Sequence, residues 1–391
     1  GIGRLAGTGT IGAYEYCFAA RGKKKLGGAL SWLPLMGSLG IAIGYAVILG
    51  WVLNSLAGFI SGQLMSADPA PFFQAAASSF GNPIWHTAVV AVVCLVLIFG
   101  VSAGIERVSK VLMPLFFLLF LVLAAWVFTL PGAGEGYRFL FVPHWEQLLR
   151  AETWIMAMGQ AFFTLSLGIG AIAVFGSYIG RQYALAGEAL RIGILDTFVA
   201  FVAGLIIFPA CSAFGVAPNQ GASLIFITLP NIFNEMPLGR LWGALFFVFL
   251  SFAALSTVIA VFENIISFAM DMWGWSRKKA VAVNLVAIFL LSMPCVLGFN
   301  LWSAFQPMGP GSNISDLEDF IISNNLLPLG SLVYLLFCVS SKGWGWKNFL
   351  SEANTGSGLK FPNGVRLYVS YILPLIVLFI FVMGYWNKFV G

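Results

Sequence analysis

Charge is what this chain has least of. Of its 391 residues, 9% are Asp, Glu, Lys or Arg, against 60% apolar and 15% aromatic. A soluble domain carries about a quarter charged residues. Too little charge is present to cover a water-facing surface, which excludes a soluble globular enzyme. Histidine is scarce too: His86 and His144 stand far apart in the sequence, which argues against a haem or zinc centre. The five cysteines are an odd number, and Cys94, Cys211, Cys295 and Cys338 lie inside apolar runs without C-x-x-C spacing. Neither a disulfide framework nor a redox pair is expected. Heptads, nucleotide loops, nucleophile elbows and zinc-protease motifs are all missing.

Long hydrophobic runs fill the chain instead, and the mean hydropathy is +0.93. A bilayer crossing needs ~20 apolar residues. Nine runs answer that description, at 32–56, 86–103, 111–130, 154–178, 192–216, 241–270, 280–299, 320–340 and 367–384. They predict an all-α polytopic membrane protein with one domain, residues 1–391. The net charge of +5 does not point to nucleic acid, because its distribution follows the alternating loops. With the segment before the first span in the cytoplasm, only Arg138, Arg150, Arg240 and Lys388 of the 20 Lys and Arg residues fall outside. That is the positive-inside pattern of a multi-pass protein of the cell membrane, whose basic residues lie at the lipid surface. The first thirty residues lack a signal-peptide core and hold the 21–25 basic cluster, so they read as a cytoplasmic loop.

Acids in the hydrocarbon are costly and informative. On this topology only Asp196 and Glu263 lie within spans. Such a carboxyl is either an ion or proton site or a neutral, hydrogen-bonded tie between helices. The fourth span groups Gln160, Thr164, Ser166, Gly168 and Gly170 near its middle. Either the helix breaks there, exposing carbonyls and a half-helix N-terminus that bind a cation and a carboxylate, or the small residues serve close packing. The sixth span carries Ala253, Ser256 and Thr257 at mid-depth. Their carbonyl and hydroxyls share a helix face and offer hard oxygens to Na⁺, unless the hydroxyls merely bond back to the carbonyl one turn earlier.

At these residues the chain resembles the neurotransmitter:sodium symporters. The run GQAFFTLSLGIG at 159–170 looks like the sixth, broken helix of that family. The stretch GIER at 104–107 with Met113 and Pro114, LIFITLPNIF at 224–233, LST at 255–257 and DLED at 316–319 resemble other parts of it. The resemblance spans nearly the whole chain and points to the bacterial eleven-helix, amino-acid-transporting type. It implies the leucine-transporter-like inverted-repeat fold, with the nine spans as family helices three to eleven. It also implies that the first helix and nearly all of the second, absent here, belong to a longer transporter, with 1–4 as the cytoplasmic end of the second helix.

Carried over by position, the resemblance puts a first sodium site at Thr164 and Asp196 and a second at Ala253, Ser256 and Thr257. Substrate contacts map to Ile41, Tyr45, Phe163, Thr164, Ser166, Ile169, Thr257 and Val261. Tyr45 would bond the substrate carboxylate and Phe163 would lie over it. Gln160 and Asp319 match the outer gate, Tyr178 and Asp271 the inner one. Asp196 replaces a neutral asparagine of the best-known bacterial form, Ala200 a glutamate and Ile169 an aromatic ring. The implied protein is a Na⁺-coupled symporter of neutral, apolar or aromatic amino acids working by alternating access, with no covalent chemistry. A transporter-like sensor and a non-transporting membrane scaffold are the competing classes.

Overall fold

The computed structural model describes residues 1–19, 22–78, 81–99, 101–215 and 222–389. Arg21 lies outside these residues, as do the side chains of Cys94, Glu106 and Arg107. The chain opens with three short helices, α1 (Ile2–Ala6), α2 (Thr10–Ala19) and α3 (Lys24–Leu30), followed by the long α4 (Trp32–Ser61). Next come α5 (Gln63–Ser66), α6 (Pro69–Ser78), α7 (Gly81–Phe99), α8 (Val101–Phe128), α9 (Ala133–Phe141) and α10 (Trp145–Leu148). The fourth run is divided into α11 (Ala151–Thr164) and α12 (Ala171–Tyr178). Then follow α13 (Leu185–Ala213), α14 (Leu229–Glu235), α15 (Gly239–Trp273), α16 (Arg277–Leu297), α17 (Ile314–Ile321), α18 (Leu327–Val339), α19 (Trp346–Ala353) and α20 (Leu373–Phe389).

In their described residues all nine hydrophobic runs form helices, apart from turns at some ends and the break in the fourth. Among the described residues, six helical segments are long and apolar enough to cross a bilayer, or seven counting α8 with the segment bent 115° away from it. The second run and the divided fourth fall outside that test. Large apolar side chains such as Ile192, Leu195 and Phe198 on α13 and Leu375, Phe379 and Val382 on α20 are exposed. These outer faces suit hydrocarbon rather than water.

The first thirty residues are not a loop. Tyr14 and Phe18 of α2 are buried, and Phe18 stacks on Phe337 of α18 at 4.3 Å while Tyr14 meets Tyr334 at 5.1 Å. The segment carries glycines and lysines, which hid an apolar face that only α18 completes. Arg4 is buried in the same region. Its Nε donates to Glu352 Oε1 at 2.7 Å, Nη1 to the Tyr183 carbonyl at 2.6 Å and Nη2 to the Glu352 carbonyl.

At the centre, α4 and α15 run side by side. Gly243 makes this possible, since a Cβ there would stand 2.3 Å from the Phe59 ring; Phe59 in turn stacks on Phe247 at 5.6 Å. Three helices begin with a π-turn, at 224–228, 322–326 and 368–372, and each π-turn ends at a Leu-Pro pair containing Pro230, Pro328 or Pro374. Proline lacks the N–H and its ring clashes with the carbonyl four residues earlier, so the helix widens by one residue to admit it.

Candidate functional site

The break in the fourth run is written in backbone angles. Between α11 and α12, Ser166, Gly168 and Gly170 take φ of 51°, 84° and 47°, a region open to glycine and strained for other residues. Gly168 has a second constraint: a Cβ would meet the Leu327 carbonyl at 2.3 Å, and a Cβ on Gly330 would meet the Gly168 carbonyl at 2.3 Å. The unwound strand therefore lies directly on the backbone of α18. A break of this kind leaves helix-terminal carbonyls on one side and N–H groups on the other.

At the break, Thr164 Oγ1 donates to Asp196 Oδ1 of α13 at 2.7 Å. The two expected ligands of the first sodium site are in contact. On α15, Ser256 Oγ and Thr257 Oγ1 both donate to the Ala253 carbonyl, at 2.7 and 3.3 Å. The three oxygens of the expected second site converge, although the hydroxyls here bond back along the helix. All five groups are hard oxygen donors, the type alkali and alkaline-earth cations take. Among the described residues no cluster of three His, Cys, Asp or Glu offers an alternative metal centre.

The expected substrate residues line up on the same elements. Ile41 and Tyr45 are one turn apart on α4, and Thr257 and Val261 one turn apart on α15. The Tyr45 and Phe163 rings are stacked at 6.4 Å with 22° between planes. Ile41, Val261 and Ile169 are buried, and Ile169 rests on Gly37, where a Cβ would stand 2.9 Å from its Cγ2. Ser166 sits in the strained strand itself.

The residues expected at the gates have partners elsewhere. Asp319 accepts from Ser323 Oγ at 2.9 Å, and Gln160 is exposed on α11. Asp271 Oδ2 lies against Gly9, 3.2 Å from where its Cβ would stand, and Tyr178 lies near Glu263 and Arg277.

Two acids take positions that the sequence left open. Glu263 is not a neutral tie. Its Oε1 and Oε2 accept from Arg277 Nη1 and Nη2 at 2.9 and 2.6 Å, while Arg277 Nε donates to the Leu97 carbonyl at 3.0 Å. The reason is the tight turn at Gly274, a left-handed cap with φ 63°, which returns α16 along α15 so that its first residue reaches back to Glu263. Glu318, which precedes the eighth run in sequence, also enters the bundle. Helix α17 begins at Ile314 and lays Glu318 on α4, its Oε2 3.1 Å from where a Cβ of Gly44 would be, with Oε1 buried and without a hydrogen-bond partner. The spacing Gly40-x-x-x-Gly44 was the sequence signal for a groove on α4, but nothing in the sequence said which side chain fills it.

A bundle of apolar helices with one helix broken at its centre, and oxygen donors and aromatic rings gathered at the break, defines a membrane transporter. The chain matches the Sodium:neurotransmitter symporter family over residues 71–388, and it belongs to that family. It is 35% identical to the sodium-dependent transporter YhdH of Bacillus subtilis over 90% of its length, covering 78% of that protein. To a sodium-dependent transporter of Haemophilus influenzae it is 33% identical over 97% of its length and 84% of the relative. Its structure is similar to that of MhsT in complex with L-phenylalanine, with TM-score 0.87 and 35% identity, covering 98% of this chain and 86% of the other. The fold is the leucine-transporter-like one, and the protein is a sodium-coupled multi-pass transporter of this family, not an enzyme.

Proposed function

We propose that the protein carries neutral, apolar or aromatic amino acids inward with Na⁺ by alternating access. The observation that carries this reading is the contact of Thr164 with Asp196 beside the stacked Tyr45 and Phe163 rings. It supports a reading in which a cation site and an apolar side-chain slot lie next to the same helix break. Thr164 and Asp196 hold the first sodium, and Ala253, Ser256 and Thr257 the second, their hydroxyls turning from the Ala253 carbonyl to the ion. Tyr45 bonds the substrate carboxylate, Ser166 and Thr257 border it, and Phe163 covers it. Ile41, Ile169 and Val261 form the apolar wall for the side chain, and none of the three can pair with a lysine or a glutamate. Gln160 with Asp319 closes the pathway on the outer side, Tyr178 with Asp271 on the cytoplasmic side. The relative MhsT is known with L-phenylalanine bound, an amino acid of the proposed class.

The sodium gradient supplies roughly 2.3 kcal/mol per charge per 100 mV plus its concentration term. The test is uptake of labelled phenylalanine or leucine by proteoliposomes holding the complete transporter. Uptake above equilibrium under an inward Na⁺ gradient, lost when K⁺ replaces Na⁺, is the expected result. Sodium-dependent binding without flux would make the protein a sensor.

A further inference from the structure

Three polar side chains meet at the first turn of α12, and none of them belongs to the ion or substrate sites. Thr10 of α2, Ser38 of α4 and Asn264 of α15 are 2%, 0% and 1% exposed. Thr10 Oγ1 lies 3.1 Å from the Gly170 carbonyl and 3.0 Å from Asn264 Oδ1, and Asn264 Nδ2 lies 2.6 Å from Ser38 Oγ. A hydroxyl has one proton and cannot donate to two acceptors. Turning the Asn264 amide over removes the conflict. Nδ2 then donates to Thr10, Thr10 donates to Gly170, and Ser38 donates to Oδ1, so each of these buried groups has a partner.

This chain of bonds ends on the residue that starts the second half-helix. The Gly170 carbonyl also accepts the Ala173 and Val174 amides at 2.8 and 3.2 Å, so the Thr10 bond acts on the first turn of α12. Residue 170 is shaped around the network. A Cβ there would stand 2.6 Å from Thr10 Oγ1 and 3.1 Å from Asn264 Nδ2, which excludes any side chain larger than hydrogen. Asn264 and Ser38 sit on α15 and α4, the two helices that run side by side. The Thr10–Gly170 bond is a polar link from that pair to the half-helix beyond the break.

We infer that Asn264 is a positioning residue: by orienting the Thr10 hydroxyl it ties the first turn of α12 to the α4–α15 pair, and this tie opens each time α12 swings. The inference rests on the alternating-access reading for its use, but its physical content is a local hold on one half-helix.

Hydrogen–deuterium exchange of the complete transporter in lipid nanodiscs, without substrate, reads that hold directly. Thr10→Val keeps the side-chain shape and removes the hydroxyl; Asn264→Leu keeps the volume and removes the amide. Each is expected to speed exchange in 171–178 about tenfold, as loss of one buried hydrogen bond implies; Thr10→Val, which leaves the Ser38–Asn264 bond in place, is expected to leave segments of α4 and α15 unchanged. Thr10→Ser restores the wild-type rate. If Asn264→Leu fails to fold, Thr10→Val and Thr10→Ser carry the comparison. Unchanged exchange in 171–178 in either variant, or a rise shared equally by α4 and α15 in Thr10→Val, overturns the inference. A protein that proves to carry no amino acid would still show the α12-specific effect, so the two readings fail separately.

Discussion

Thr164 and Asp196, 32 residues apart, meet at the break between α11 and α12, with the Thr164 hydroxyl donating to Asp196 Oδ1 at 2.7 Å. A sodium ion here would take both oxygens, the hydroxyl turning its lone pairs toward the ion.

From this follows a prediction about chloride. If Asp196 lies at the first sodium as proposed, its carboxyl would supply the negative charge that chloride supplies in chloride-dependent relatives. Uptake by the wild-type protein is expected to ignore Cl⁻. Asp196→Asn, nearly constant in volume, is expected to lose sodium-driven uptake or to gain a response to added Cl⁻. Sodium activation curves in chloride and gluconate decide it; a mutant with unaltered Na⁺ affinity in both would sink the idea.

The second site is tested by its hydroxyls. Ser256→Ala with Thr257→Val removes two donors that now bond only within their own helix, so folding is expected to be unaffected. Sodium binding is expected to weaken by ~1–3 kcal/mol per lost ligand oxygen, read as a shift of the half-saturating Na⁺ concentration. An unchanged sodium dependence would return the pair to helix packing.

Substrate choice follows from the wall of Ile41, Ile169 and Val261. In competition assays leucine, phenylalanine, tyrosine and tryptophan are expected to displace label better than lysine or glutamate. Gly37→Ala pushes into Ile169 and narrows the slot, so it is expected to weaken tryptophan more than leucine. Equal losses for both would separate Ile169 from the pocket.

The Glu263–Arg277 pair is bidentate and largely buried, with side-chain exposures of 9% and 29%. Removing one member of such a pair leaves the other charge unpaired, at a cost of about 3 kcal/mol or more. Arg277→Ala is therefore expected to lower thermal stability in detergent more than Glu263→Gln, which leaves a neutral group that still accepts from Arg277. The reverse order in a thermal-shift assay would show that the ion pair is not what holds α15 to α16.

Cys17 reports on the helices before α4. Burial pushes its thiol up to about 11, and the thiolate is the reactive form. At pH 7 to 8 the thiol is expected to resist maleimide in the folded protein and to react after denaturation or as pH approaches 11. Rapid labelling at neutral pH would mean that α2 does not dock on α18.

Composition and hydropathy alone determined the class, because a chain with 9% charged residues has no stable arrangement in water. The broken fourth run was also legible, since glycines 168 and 170 stand at mid-span where nothing else in the helix favours them. Local sequence located the carbonyl and hydroxyls of Ala253, Ser256 and Thr257 on one face, because helix periodicity fixes that. What lay beyond local reading was every contact between segments distant in sequence. Arg277 reaches Glu263 only because Gly274 reverses the chain at one angle. Glu318 enters the bundle only because α17 starts early and α4 offers a glycine groove. Thr10, Ser38 and Asn264 are unremarkable polar residues one at a time, and they become a network only when α2, α4 and α15 converge on Gly170. Hydropathy is a property of each segment, whereas the pairing of buried polar groups belongs to the geometry between segments, so the tertiary structure alone decided it.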